Sequence, residues 1–184
     1  MFEIRYDDNK IKRLQRELRG FGKNSLPKVM SRGLNRTATE ARTKTSRMLA
    51  KEIGIKVGDV RKKIVLVRAS YRNWRSGITI SRKRIPLIRF GARQVKKGVT
   101  YKKDRKRVLI RHAFVSTMSS GHTGVFKRKF SSRLPISELR GPSLGQVYTG
   151  AAEQAGRIHR ESMRRLEKNI HDQVNLILKR RLPA

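Results

Sequence analysis

Four histidines, His112, His122, His159 and His171, and the isolated acid Glu138 are the side chains best suited to proton transfer or metal binding. None of the histidines has a carboxylate partner at zinc-ligand spacing, and no HExxH occurs. His112 is expected on a strand and His122 in a turn. Glu138, acting as a base, would want a second carboxylate or a histidine beside it. Its simpler role is an ion pair with Arg133 or Arg140 that fixes a loop. Ser143 in Gly-Pro-Ser-Leu-Gly departs from a nucleophile elbow because Pro142 alters the strand-to-helix turn, so it is expected to start a turn. Gly121-His122-Thr123-Gly124 has the GXXG spacing of an RNA-clamping loop, but that loop joins helices and strand-like runs flank this one. It is expected to be a tight reversal, with Gly121 and Gly124 free to take positive φ. Asp7 and Asp8 are adjacent acids at a helix start, and no carboxylate cluster is available to hold a metal for phosphoryl transfer. Neither catalysis, a metal nor a cofactor is expected.

The chemistry the chain does advertise is positive charge. Residues 82 to 111 hold Arg82, Lys83, Arg84, Arg89, Arg93, Lys96, Lys97, Lys102, Lys103, Arg105, Lys106, Arg107 and Arg111 against the single acid Asp104. These positions fall mainly at turns and strand ends, where they can gather on one rim. Such a rim suits sequence-independent contact with DNA phosphates through counterion release. It equally suits a solvated face, or a surface that docks on acidic neighbouring proteins.

The excess is chain-wide. Lys and Arg total 47 and Asp and Glu 13, so the 184 residues carry a net charge of +34. Self-repulsion of that size opposes a compact monomer unless a polyanion is near. Aromatics at 6% argue weakly against a reader that stacks single-stranded bases. There is no cysteine, which excludes disulfides, zinc ribbons and thiol nucleophiles. The first residues lack the apolar core of a signal peptide, and no apolar window reaches the length of a membrane span. Synthesis and assembly in a cytoplasm are expected, with no membrane partner.

The elements that must position these residues follow from periodicity. Phe2, Ile4 and Tyr6 alternate as a short strand. Asp7 or Asp8 caps a helix to about Leu18, ended by Gly20 and Gly22. Asn24 or Ser25 caps a long helix with Pro27 in its first turn and an apolar stripe from Leu26 to Ile53, closed by Gly54. A further turn or two covers 57 to 64. The period then changes to two: 64 to 68, 77 to 81, and 85 to 90, the last confined to a strand start or edge by Pro86. Lys96-Lys97-Gly98 reads as a hairpin turn with Gly98 at positive φ. Phe114 and Val115 can face Val125 and Phe126 across the Gly121 turn. Trp74 suits either a subunit contact or a loop folded onto the sheet. A last helix starts near Thr149, with a stripe of Ala151, Ala155, Ile158, Ser162, Leu166, Ile170, Val174 and Ile177. Both long stripes contain small residues, which suits close packing of that helix pair. The expected fold is α+β and a single domain over 1–184. It is helical over 1–63, β-rich and mainly antiparallel over 64–148, and closes with a helix over 149–181 packed beside the long N-terminal one.

Residues 111 to 148 carry a more specific signal. The run HAFVSTMSSGHTGVFKR followed by LPISELRGPSLGQVY resembles the prophage minor tail protein Z family, tail completion proteins of long-tailed bacteriophages. The likeness extends to the long N-terminal helix, IPLIRFGARQVKKGV and the C-terminal helix, so it spans nearly the whole chain. Within the motif Gly121, Gly124, Pro135, Glu138, Gly141 and Pro142 look structural. The resemblance implies a non-enzymatic virion protein at the head-proximal end of the tail. It implies a homo-oligomeric ring, six-fold by the tail's symmetry, between the tail terminator and the head connector or neck proteins, with the genomic DNA end in its lumen. The alternative from another class is a ribosome- or nucleoid-associated nucleic-acid-binding protein, which would bind as a monomer with steep salt dependence.

Overall fold

The computed structural model of the chain describes residues 2–19, 25–103 and 106–179. Strand β1 is Phe2–Ile4. Helix α1, Asp8–Glu17, is capped by Asp7, whose carboxylate accepts from the backbone N–H groups of Asn9 and Lys10. Those are two of the donors a helix start leaves without partners. Gly20, Gly22 and Asn24 lie outside the described residues. Helix α2, Ser25–Ile53, carries Pro27 in its first turn, where a missing N–H is harmless. It stops before Gly54, which takes a left-handed φ of 75°. A short helix α3 covers Val57–Arg61.

Strands β2 (Ile64–Val67), β3 (Ser76–Ile80) and β4 (Arg84–Pro86) follow. The apolar run at 85 to 90 is therefore only partly strand. Pro86 has no N–H for a ladder, and Leu87–Phe90 winds into one 3-10 turn that buries Leu87 and Phe90, three apart, on one side. Next come β5 (Arg93–Val95), β6 (Gly98–Lys103), β7 (Lys106–Arg111), β8 (Ala113–Thr117) and β9 (Thr123–Arg128). His112 is not on a strand. It sits between β7 and β8 with φ of 58°, a kink that sends the two strands into different sheets. The β-region closes with β10 (Ile136–Glu138) and β11 (Arg140–Ser143).

The C-terminal helical region is two helices, α4 (Leu144–Gly150) and α5 (Ala152–Lys179). Thr149 is not a cap; its hydroxyl donates to the Gly145 carbonyl inside α4. The cap is Ser143, which forms a reciprocal capping box with Gln146. The Ser-x-x-Gln spacing is the sequence signature of that box, so Ser143 starts a helix rather than a turn.

All strand pairings are antiparallel, and the fold is α+β. Among the described residues the strands form four small sheets, ordered β1-β3-β2, β10-β9-β8, β11-β4 and β5-β6-β7. The chain divides into two compact units, Met1–Thr45 with Ile64–Ile80 and Ala152–Ala184, and Ser46–Lys63 with Ser81–Ala151.

The first unit packs α2 beside α5. Gly33 lies so close to Ile170 that an added Cβ would stand 2.7 Å from its Cγ1 and 3.3 Å from its Cα. Val29, Met30, Leu34, Leu166 and Ile170 are buried in this unit, each contributing roughly 1.5–3 kcal/mol. Asn169 is buried among them and donates to the Thr37 hydroxyl at 3.0 Å, which itself donates to the Gly33 carbonyl. Lys44–Glu161 and Arg36–Asp172 pair α2 with α5, and Lys10–Glu167 pairs α1 with α5. Asn35 fastens the β1-β3-β2 sheet to α2: its amide donates to the Ala69 carbonyl and its oxygen accepts from the Ala69 N–H at 2.7 Å. Trp74 is half-buried in the connection between β2 and β3, its indole N–H donating to the Tyr71 carbonyl.

Candidate nucleic-acid interface

The second unit holds the basic region. It has 24 Lys and Arg against 4 Asp and Glu, a net +20, whereas the first unit has 23 against 9, a net +14. Most of the acids thus lie in the first unit, where Glu161, Glu167 and Asp172 pair helices. Of the four in the second unit, Asp59 is paired with Arg89 and Glu138 with Arg140.

Strand register decides which basic side chains share a face. In β5-β6-β7 the partners are Arg93↔Thr100↔Leu109, Lys102↔Arg107 and Gly98↔Arg111. Paired residues lie on the same side of a sheet, and side chains alternate along each strand. One side therefore carries Arg93, Lys102, Arg107 and Arg111, with Val95 and Leu109 exposed among them. The other side carries Val99, Tyr101 and Ile110, of which Val99 is fully buried and Tyr101 meets Phe90 edge-on at 6.4 Å. Lys103 and Lys106 oppose each other on that second side, at the hairpin tip.

Lys96 and Lys97 form the two-residue turn between Val95 and Gly98. Gly98 has φ of 146°, and a Cβ there would run into the Ile110 carbonyl, whose carbon would be 3.0 Å away. Glycine is thus required for β6 to lie against β7 at this point. Arg107 holds the face together: its guanidinium donates to the Thr100 hydroxyl and carbonyl and to the Gly91 carbonyl at 3.1–3.3 Å. The side chains of Arg93, Lys96, Lys97, Lys102, Lys103, Lys106 and Arg111 are exposed and unpaired with any described carboxylate. Arg82, Lys83 and Arg84 are exposed too, but Arg82 and Lys83 sit in the connection entering β4 and Arg84 is its first residue, all outside this sheet. Arg105 lies outside the described residues.

The Gly121–Ser143 motif is a clasp for this unit. Gly121 takes φ of 78° in the β8–β9 turn, as its position in the reversal requires. Gly124 does not take positive φ. It is a buried residue of β9, and a Cβ there would come within 3.0 Å of the Phe126 ring and 3.1 Å of the Glu138 carboxylate. β10 pairs with β9 so that Glu138 stands opposite Phe126. Glu138, its side chain 12% exposed, is bonded at 2.8 Å to His122 Nε2 through one oxygen and to Arg140 through the other. Burial alone would push this carboxyl up; the His122 and Arg140 hydrogen bonds and the Arg140 charge outweigh it and hold the group below its ordinary value. Arg140 rather than Arg133 is the arginine partner. Gly141 passes under the Phe90 ring, where a Cβ would stand 2.6 Å from the ring edge. Pro135 and Pro142 are exposed, one before β10 and the other in β11. Among the described residues of this motif no nucleophile, base and orienting group converge. Among the described residues no group of three or more His, Cys, Asp or Glu is placed to hold a metal, and no helix is long and apolar enough to cross a membrane.

The sequence reading missed Arg128 and Phe130. A cleft of about 690 Å³ opens beside the Lys96-Lys97 turn, lined by those two lysines, Arg111, Phe114, Arg128 and Phe130 among others. Arg128 and Phe130 lie beyond the densest run of charge, and only the β8–β9 pairing brings them to it. The His122–Glu138 bond also had no local signal, because the two are 16 residues apart and meet through the β9–β10 register.

The family model for prophage minor tail protein Z matches residues 11–180. No curated protein and no solved structure matches the chain.

Proposed function

Since the chain belongs to the prophage minor tail protein Z family and is thus a structural protein of a phage tail, we propose that it completes the head-proximal end of that tail. Copies of it close a ring, six-fold if it follows the tail's symmetry, between the tail terminator and the head connector or neck proteins. The Arg93–Lys102–Arg107–Arg111 face and the Lys96-Lys97 turn front the genomic DNA end in the lumen. Catalysis has no part in this; the protein acts by binding.

The observation that supports DNA contact most directly is the cross-strand register. Lys102 faces Arg107 and Lys103 faces Lys106. Like charges directly opposite one another destabilise a hairpin, so the arrangement favours a strand pair held beside a polyanion. Contacts to phosphate position DNA without reading its sequence. Family membership supports the virion location; the ring and its neighbours follow from what tail completion demands, a closed collar around a passing duplex.

The test is the mass of the purified protein at about 0.15 M and about 0.5 M salt, with and without a short duplex, a range that strips counterion-driven contacts. The expected result is weak, salt-labile duplex binding by free protein, with rings forming only when tail ends are supplied. A monomer that binds duplex tightly and never forms rings on tails would overturn tail completion in favour of a nucleic-acid-binding protein.

A further inference from the structure

The cleft beside the Lys96-Lys97 turn has a composition that duplex contact does not explain. Its walls include Lys96, Lys97, Arg111 and Arg128, and among the described residues no carboxylate lines it. Two phenyl rings accompany the cations. The Phe114 ring carries the Arg128 guanidinium 5.6 Å from its centroid, a cation–π contact that holds the charge at the wall. Phe130 is 69% exposed, in the loop that leaves β9. An apolar ring that far into solvent gains nothing from burial in the unliganded protein, and it adds nothing to the binding of a carboxylate. A nucleobase, by contrast, has a flat face that stacks on it while its phosphate meets the cations. The concave volume suits one small convex group better than a flat protein surface. Bases inside a duplex are stacked on their own neighbours and cannot reach the ring; an unpaired base can.

We infer that this cleft holds a nucleotide of single-stranded DNA, with its phosphate on Lys96, Lys97, Arg111 and Arg128 and its base against Phe130. The site rests on the DNA proximity proposed above and shares Lys96, Lys97 and Arg111 with the duplex-facing surface, but Phe130 belongs to the cleft alone and separates the two. In the tail it would retain an unpaired strand end while the face follows the duplex.

The experiment is fluorescence anisotropy of the full chain with a short labelled oligothymidylate and with a duplex of the same length, for wild type, Phe130→Ala and Phe130→Trp. Phe130 is exposed, so both variants should keep the wild-type melting temperature. The expected result is roughly tenfold weaker oligothymidylate binding for Phe130→Ala, unchanged duplex binding, and near wild-type behaviour for Phe130→Trp. Equal loss on both DNAs, no loss on either, or no oligothymidylate binding by wild type would each overturn the inference. So would a Phe130-dependent complex with polyglutamate alongside Phe130-independent DNA binding, which would make the cleft a seat for an acidic protein. Wild type that ignores duplex but keeps the Phe130-dependent oligothymidylate complex would refute the sheet-face contact and leave the cleft standing; the reverse pattern would refute the cleft alone.

Discussion

Replacing Arg93, Lys102 and Arg111 together by glutamine tests the sheet face without disturbing its framework. All three are exposed on one side of β5-β6-β7, and none pairs with a described carboxylate, whereas Arg107 ties β7 to Thr100 and Gly91 and is left in place. If each of the three meets one phosphate, the slope of log K against log salt should flatten by about 2.7, since each contact contributes about 0.9. Between about 50 mM and 200 mM salt, wild type should therefore lose about 40-fold more duplex affinity than the variant. Anisotropy titrations of a labelled duplex at several salt concentrations measure this directly. The control is Arg160, Arg164 and Lys168 to glutamine, which removes the same net charge from exposed positions of α5. Equal flattening in the control and the sheet variant would mean that bulk charge, not this face, meets the DNA. An unchanged slope in the sheet variant would refute the assignment outright.

Three further outcomes follow from the packing. Gly33→Ala gains helix propensity of about 0.5–1 kcal/mol but puts a Cβ 2.7 Å from Ile170 Cγ1, and relief of such overpacking costs about 1–3 kcal/mol, so a net loss of about 1 kcal/mol is expected in denaturant unfolding; a stabilised variant would mean α2 and α5 are not so close. Gly98→Ala strains a φ of 146° and strikes the Ile110 carbonyl, so hydrogen exchange in β6 and β7 should accelerate sharply while amides of α2 and α5 stay protected; unchanged exchange would contradict the register. Glu138 has a lowered native value, so its contribution to stability is complete above the unfolded carboxylate value of about 4.5 and is lost as pH falls through the lower native one. Glu138→Gln should therefore unfold more easily than wild type at pH 7, with the gap narrowing as pH falls below the unfolded carboxylate value; a gap that persists unchanged in acid would show that the His122–Glu138–Arg140 contact contributes nothing through charge.

How much of this was legible in the chain differs by element. Asp7 as a cap, Pro27 in the first turn, the stripe of α2 and that of α5 from Ala155 onward follow from local rules, and the structure keeps them, while Ala151 falls at the end of α4. The Lys96-Lys97 turn and the Phe114–Val115 pairing with Val125–Phe126 were visible because turn chemistry and period two agree. What escaped depended on partners distant in sequence. Apolar periodicity has no slot for Asn169, a polar residue that is buried because Thr37 on another helix satisfies it. Gly124 reads like a turn glycine, yet the Phe126 ring and the Glu138 carboxylate are what exclude a side chain there. The Ser143–Gln146 box was a local signal and was outweighed by the glycines and proline around it, which mimic a loop. The basic face was legible as charge but not as a face, because Arg93, Lys102, Arg107 and Arg111 share a side only through the β5-β6-β7 register.

Imaging of tails carrying a labelled copy of this protein bears most directly on tail completion. The expected density is a closed ring of labelled subunits at the head-proximal end, absent from tails made without the protein, which then fail to join filled heads. Label along the tube or at the distal tip, or head joining that proceeds without the protein, would contradict the assignment.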